Sequence, residues 1–245
     1  MKKTLRQSAY ALAITTMMAV APVQAGSNDI ALGTIAQPVF NNLVEEFGQV
    51  IAYNPASPAE TLGIIGFEVG LGVEAYELDT TIWDQVVSDA SAPSTIPVPK
   101  LSARKGLPMG IDVGLSYTTL PGSNIKIMGG EIRKSIIDGG MAMPAVSVIA
   151  HTSRLTGVDD ISLDTYGVDV GISKGFVMLT PYAGVGQVWI NGSSDATTVT
   201  LADHDASVTR SYAGVRIGFM PMLNLVLQAN IADVNSYTGR LNLTF

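Results

Sequence analysis

Residues 65–75 read IGFEVGLGVEA, which is the clearest alternating pattern in the sequence. Apolar side chains alternate here with glycine or glutamate, so that an extended chain has one apolar face and one face of glycine and charge. The apolar face carries Ile65, Phe67, Val69, Leu71, Val73 and Ala75. A strand that crosses a bilayer needs about 9–11 residues with one lipid-facing and one lumen-facing side. The stretch therefore predicts a transmembrane β-strand.

The same alternation recurs along the chain. Further strands with this pattern are predicted at 109–117, 166–172, 213–219, 223–231 and 241–245. Weaker patterns lie at 97–104, 124–137, 143–153 and 178–190. Bacterial barrels have an even number of strands. The sequence therefore predicts an all-β transmembrane protein, an antiparallel outer-membrane β-barrel of about ten strands, with eight or twelve left open.

Composition agrees with a barrel. The chain has 25 glycines, 14% charged residues and no cysteine, and its mean hydropathy is positive. No segment after residue 25 offers 18 consecutive apolar residues, as a membrane helix would require. A closed barrel is the remaining way to satisfy the backbone in a bilayer without disulfides.

The first 25 residues have the pattern of a signal peptide. Lys2, Lys3 and Arg6 precede an apolar stretch that ends in Val23-Gln24-Ala25, a small-x-small cleavage site. Cleavage after Ala25 would leave 220 of 245 residues and change the net charge from −7 to about −10. This acidic balance excludes nucleic acid as an expected partner.

The predicted connections suggest an orientation. If the last strand ends in the periplasm, the turns at 104–108, 138–141, 174–177 and 220–222 are periplasmic and short. The connections at 79–96, 154–160 and 191–206 are then external and longer, as in bacterial barrels.

An amphipathic helix is predicted at 35–53, before the first strand. Ile35, Val39, Leu43, Phe47 and Ile51 recur at every fourth position, and Pro55 and Pro58 end the helix. We expect residues 26–61 to form an N-terminal segment and 62–245 the barrel. The helix could pack against the barrel base or partly inside the barrel, or it could act as a functional plug or hatch. The candidate plug residues are Phe40, Leu43, Phe47, Asn54 and Pro55.

The last nine residues resemble the C-terminal assembly signal of outer-membrane barrels. Phe245 is an aromatic last residue, and alternating apolar positions precede it at Leu243, Leu241 and Tyr237. The resemblance implies handling by the barrel-assembly machinery and contact with outer-membrane lipids.

Residues 52–56, Ala-Tyr-Asn-Pro-Ala, are similar to the Asn-Pro-Ala segment of FadL-type long-chain fatty acid transporters. In that family an N-terminal hatch fills the barrel and the passage of hydrophobic substrates depends on it. The similarity covers roughly residues 34–76. Members of the family are longer and have fourteen strands. This chain would therefore be a smaller barrel that resembles the family at its entrance, and the resemblance implies a hydrophobic small molecule as the candidate substrate.

Charged and amide side chains on the inward parity are the candidate lumen residues. A charge in a narrow lumen must be paired or hydrated, so these side chains could either fill the core with salt bridges or line a selective pore. They are Glu68, Glu74, Asp112, Glu131, Arg133, Asp169, Arg216, Asn224, Gln228, Asn230 and Arg240.

Other chemistry is sparse. His151 and Ser153 share a strand face and could form a base and nucleophile; the pair resembles the His-x-Ser of PagL-type lipid A deacylases, except that Arg154 follows where that family has Asn. His204, between two aspartates, is either a weak cation ligand or part of a solvated loop tip. Trp83, in the amphipathic run 81–87, could anchor at the membrane interface or cover the mouth. No catalytic residue, metal site or cofactor is predicted.

The sequence therefore predicts a passive channel or transporter for small molecules, with hydrophobic molecules among the candidate substrates. The alternative is a non-conducting structural or adhesion barrel that acts through its external loops. A lipid-modifying enzyme is the third interpretation.

Overall fold

A computed structural model describes residue 32 and residues 35–84, 94–120, 123–140, 142–196 and 199–245. The predicted signal peptide at 1–25, residues 26–31 and the loop residues 85–87 lie outside these ranges. Neither described helix is long and apolar enough to cross a membrane.

Ten antiparallel strands form a closed barrel in which each strand pairs with its sequence neighbour and β1 pairs with β10. Every predicted strand is confirmed. The strands are β1 Phe67–Glu77, β2 Thr95–Leu107, β3 Ile111–Thr119, β4 Lys126–Asp138, β5 Ala145–Thr156, β6 Ile161–Ser173, β7 Leu179–Ser194, β8 His204–Met220, β9 Leu223–Ile231 and β10 Ser236–Thr244. Helix α1 spans Gln37–Ile51, and the short helix α2 spans Thr80–Trp83.

The first and last strands close the barrel with matched apolar positions. Leu71 lies opposite Leu241, and Val69 opposite Leu243. The backbones of Phe67 and Phe245 exchange two hydrogen bonds, of 3.0 and 2.8 Å. The predicted assembly-signal side chains therefore all face outward at the seam.

The outer wall is apolar around the barrel. Leu71, Leu115, Ile132 and Ile231 lie on different parts of the wall and are between 59% and 70% exposed. Such surface is stable when lipid covers it. The exterior is therefore that of a transmembrane barrel.

The two ends of the barrel differ in their connections. One end, called here the short-turn end, carries the connections from β2 to β3, β4 to β5, β6 to β7 and β8 to β9. The other, called the long-loop end, carries the connections from β1 to β2, β3 to β4, β5 to β6, β7 to β8 and β9 to β10. The predicted loops at 154–160 and 191–206 are shorter than expected, because β5 to β8 continue past the apolar positions with polar outward residues such as Arg154 and Asp164.

Candidate functional site: the filled lumen

Helix α1 lies inside the barrel at the long-loop end. The helix begins at Gln37 and ends at Ile51, so it is shorter than the predicted 35–53. Its contacts reach three connections of that end. Ala202 N donates to Gln37 Oε1 at 2.8 Å, Asp79 N to Glu46 Oε1 at 2.6 Å, and Val234 N to Gln49 Oε1 at 3.0 Å.

The apolar face of α1 packs against the wall. The predicted plug residues Phe40, Leu43 and Phe47 are at most 4% exposed and belong to one buried apolar cluster. The cluster continues onto the inner faces of β5, β6, β7 and β8, through residues that include Leu155, Leu163, Ile190 and Val208. Hydrophobic burial is the main force that seats the helix.

Two glycines let α1 approach β7. A Cβ at Gly48 of the helix would lie 2.3 Å from Ile190 Cγ2, and one at Gly192 of the strand would lie 2.5 Å from Val44 Cγ1. Real Cβ atoms do not approach other atoms so closely. The helix and the strand therefore fit only because each has a glycine where the other has a branched side chain.

Gly48→Val is expected to destabilise the folded protein by about 1–3 kcal/mol, because it overpacks this contact. Unfolding in urea, followed by the loss of heat-modifiable migration on a gel, measures the change. Gly130→Ala is the control, since its Cβ would meet nothing closer than 3.6 Å. Equal effects of the two substitutions would contradict the close fit of α1.

Residues 52–62, called here the strap, continue from α1 down the lumen to the short-turn end. Arginines on the wall donate to its carbonyls: Arg210 Nη1 to Tyr53 O at 2.8 Å, and Arg240 Nη2 to Ala56 O at 2.6 Å. Arg133 Nη1 donates to Pro58 O. Prolines prevent the strap from satisfying its own backbone as a helix, and the guanidinium groups of the wall do so instead.

Asn54 lies at the centre of the lumen with all its polar atoms engaged. Its Nδ2 donates to Glu74 Oε1 at 2.5 Å and to Thr238 Oγ1 at 3.1 Å, and its Oδ1 accepts from Gln228 Nε2 at 2.7 Å. Gln228 also donates to Asn230 at 2.7 Å. The next residue, Pro55, is buried. The predicted hatch residues thus join the predicted lumen residues in one network.

Ion pairs occupy the wall around the strap. Near the short-turn end, Arg104 pairs with Glu68 at 3.3 Å and with Asp112 at 3.7 Å, while Glu68 also lies 3.8 Å from Arg240. Ser57 of the strap accepts hydrogen bonds from Arg104 at 3.1 Å and from Arg133 at 2.7 Å. The strap and the charged wall are therefore one bonded unit.

Three further pairs involve both predicted and unpredicted residues. Arg133 lies 3.6 Å from Glu131, and Arg216 lies 3.1 Å from Glu60 of the strap. Lys100 pairs with Glu74. The structure therefore places every predicted lumen residue inside the barrel, with Arg216 the most exposed of the charged ones.

Asp169 is the centre of a buried cluster on the opposite wall. It accepts two hydrogen bonds from Arg210, at 2.6 and 3.1 Å, and His151 Nε2 lies 3.2 Å away. Asp169 and the His151 side chain are fully buried. Ser153, by contrast, donates to Ile51 O at 2.6 Å and lies 2.7 Å from Thr165 Oγ1. The predicted base and nucleophile are thus each engaged by other groups in the core.

Sequence reasoning missed Lys100, Arg104 and Arg210. All three share the inward parity of their strands. Lys100 and Arg104 lie on β2, whose prolines at 97 and 99 weaken the alternation, and Arg210 precedes the part of β8 that the apolar pattern marks. They would have been found if the alternation of inward and outward residues had been followed to the ends of the observed strands.

The long-loop end corrects two predictions. Trp83 is buried, its Nε1 donates to Glu46 Oε2 at 2.9 Å, and its ring meets Phe47 edge-on at 5.4 Å, so it covers α1 and is not an interfacial anchor. His204 Nε2 lies 2.9 Å from Glu45 Oε1, so it faces the helix. Burial raises the pKa of the Glu46 carboxyl, against the two hydrogen bonds that it accepts.

The lumen contains a small cavity. A cavity of about 30 Å³ lies beside the strap between Asn54, Tyr76, Arg210 and Asn230. It has room for about one or two water molecules. Among the described residues no three His, Asp or Glu side chains gather so as to hold a metal ion.

The fold and exterior define the class of outer-membrane β-barrels. The sequence matches no protein-family model, and a search of curated proteins found no match. Solved barrels align weakly: KdgM porin has 6% identity and a TM-score of 0.39 over 73% of this chain and 99% of that chain. OprG from Pseudomonas aeruginosa has 9% identity and a TM-score of 0.36 over 77% and 99%. Ail of Yersinia pestis, bound to the heparin analogue sucrose octasulfate, has 10% identity and a TM-score of 0.33 over 74% and 99%. Similarities this weak carry no argument about function.

Proposed function

We propose that the protein is a Gram-negative outer-membrane barrel that rests closed and acts through its long-loop face. The observation that supports this is the course of residues 35–62. Helix α1 fills the long-loop half of the lumen, and the strap runs through the other half to Leu62, whose N–H donates to Asp112 at 3.1 Å. Export by the signal peptide and assembly through the C-terminal strand complete the proposal.

The energetics favour a closed resting state. A hydrogen bond to a charged group contributes about 1.5–3 kcal/mol. Arginines make six such contacts to the strap, at Tyr53, Ala56, Pro58, Glu60 and twice at Ser57. For comparison, shifting a two-state equilibrium between bound and released strap from 99:1 to 1:99 would take about 5.5 kcal/mol. Spontaneous release of the strap is therefore rare, even if only part of the sum is realised.

A hatch-gated channel for hydrophobic small molecules is the second candidate. It is favoured by the position of Asn54 and Pro55 in mid-lumen, together with the FadL-type resemblance of this segment. In this case a substrate would have to displace the strap. The two candidates differ in whether the complete protein ever conducts.

Planar-bilayer recording and uptake of a fluorescent fatty acid by proteoliposomes test the closed state. We expect the complete mature protein to give no discrete conductance and no uptake above that of empty vesicles, because the strap fills the lumen. Discrete openings in the planar-bilayer recording would refute the closed barrel. Fatty acid uptake without resolved conductance would favour the hatch.

The proposed orientation is tested separately with single cysteines, since the chain has none of its own. We expect a membrane-impermeant maleimide to label Asn42→Cys, on the exposed side of α1, in intact cells. Asp203→Cys in a long-loop connection is the positive control, and Met222→Cys at the short-turn end should react only after permeabilisation. Labelling of Met222→Cys alone in intact cells would reverse the orientation.

A further inference from the structure

The outer wall of the barrel carries a groove of about 660 Å³ across β2, β3, β4 and β5. This volume lies within the range of ligand sites, about 300–1,000 Å³. The groove adjoins three small outward residues, Ala103, Gly130 and Ala150. Four strands set about 4.8 Å apart make it about 14 Å wide.

Strand register creates the groove. Leu115 of β3 lies opposite Ala103 on one side and Gly130 on the other. Ile132 of β4 lies opposite Ala150. Leu115 is 70% and Ile132 is 59% exposed, so these side chains stand beside small residues that leave the space unfilled. The lining is therefore strongly apolar.

Gly130 is not needed for the interior of the barrel. A Cβ there would have its nearest neighbours at 3.6 Å, an ordinary contact. Its sequence neighbour Gly129 points inward, where a Cβ would lie 2.7 Å from the Tyr53 ring. Packing thus explains Gly129, whereas the smallness of Gly130 has its effect on the outer surface only.

Two lysines lie at the edge of the groove towards the short-turn end. Lys105 lines the groove, and its Nζ donates to the carbonyls of Ile64 at 2.6 Å and Gly66 at 3.1 Å. Lys134 is the next outward residue after Ile132 on β4, towards the short-turn end, and its Nζ donates to Met109 O. Neither forms an ion pair with a carboxylate in the part of the chain that the structure describes. An ammonium has three N–H groups, so both lysines retain capacity for an anionic oxygen.

We propose that this groove binds one membrane phospholipid, with an acyl chain beside Gly130 and its phosphate against Lys105 and Lys134. An apolar groove that ends in unpaired positive charge matches a molecule with an apolar chain and an anionic head. The proposal rests on the proposed membrane location, but does not depend on whether the lumen is closed.

Native mass spectrometry of the barrel in a neutral detergent tests the site, with phosphatidylglycerol added to delipidated protein as the probe. We expect a population that carries one lipid at concentrations where further adducts are few. Gly130→Leu should abolish this population by filling the groove, and Ala150→Phe should do the same from β5. The double variant Lys105→Gln/Lys134→Gln should lower it several-fold, because the phosphate loses both ammonium groups.

Matched controls separate this site from general lipid adhesion. Ala213→Leu places a leucine at an outward position on β8, and Lys126→Gln removes an outward charge at the long-loop end. Both should retain the one-lipid population. Heat-modifiable migration confirms that each variant is folded.

Equal lipid retention by Gly130→Leu and Ala213→Leu would overturn the site. So would a dimer that Gly130→Leu abolishes, because the groove would then seat a second barrel. Failure of the closed-barrel function appears as conductance of the complete protein, a different readout from lipid retention. The two failures are therefore distinguishable.

Discussion

Asp169→Ala is expected to destabilise the barrel by about 3–5 kcal/mol, because it leaves the buried Arg210 guanidinium without its counter-ion. Arg210 would keep only its contacts to Tyr53 O and His151. The charge would remain next to the strap at the middle of the lumen. Urea unfolding of the protein in detergent, with the midpoint and slope compared with those of the unchanged protein, measures the loss.

The chain contains its own control for this experiment. Arg154 and Asp164 form a bidentate pair at 2.6 and 3.1 Å between neighbouring strands, but their side chains are 69% and 45% exposed. Exposed ion pairs contribute about 0–1 kcal/mol, so Asp164→Ala should change stability little. If Asp169→Ala were as mild as Asp164→Ala, water would have access to Asp169 and the filled lumen would be wrong.

Deletion of residues 35–62 is expected to convert a silent barrel into one with discrete conductance. The deletion removes α1 and the strap together, whereas the wall retains its ten strands. The wall then holds six basic and five acidic side chains, so ion selectivity should be weak. These are Lys100, Arg104, Arg133, Arg210, Arg216 and Arg240, with Glu68, Glu74, Asp112, Glu131 and Asp169.

A double substitution covers the case in which the deletion variant does not fold. Arg133→Gln and Arg240→Gln together weaken three attachments of the strap, at Pro58, Ser57 and Ala56, and should produce brief openings in planar bilayers. The double variant Arg154→Gln/Asp164→Asn alters charges outside the lumen and should remain silent. Silence of a folded deletion variant would mean that the wall itself closes the lumen, and the strap would lose its proposed role.

The inward charges were predicted either to fill the core with salt bridges or to line a selective pore. Salt bridges fill the barrel, as one interpretation expects, but the strap contributes Ser57, Glu60 and three carbonyl groups to the same network. A barrel of ten strands is slightly wider than one that side chains alone can fill. The N-terminal segment supplies the material that the wall lacks.

The sequence alone determined where the strands lie and which way their side chains face, and it predicted about ten strands with eight or twelve left open. These follow from alternation with a period of two, which is local and which a one-residue shift would reverse. The stripe from Ile35 to Ile51 determined the helix in the same way. Prediction was incomplete where the alternation is weak. In β2, two prolines weaken it, and Lys100 and Arg104 were therefore missing from the predicted lumen residues.

The tertiary structure alone decided where the helix lies, which charges pair and what Trp83 does. A stripe shows that a helix has an apolar face but not which surface covers it; here the fit depends on Gly48 and Gly192, far apart in the chain. The pairing of Asp169 with Arg210 depends on barrel register and on residues 41 positions apart. Periodicity is a property of neighbours in sequence, whereas the closure of the lumen depends on contacts between neighbours in space.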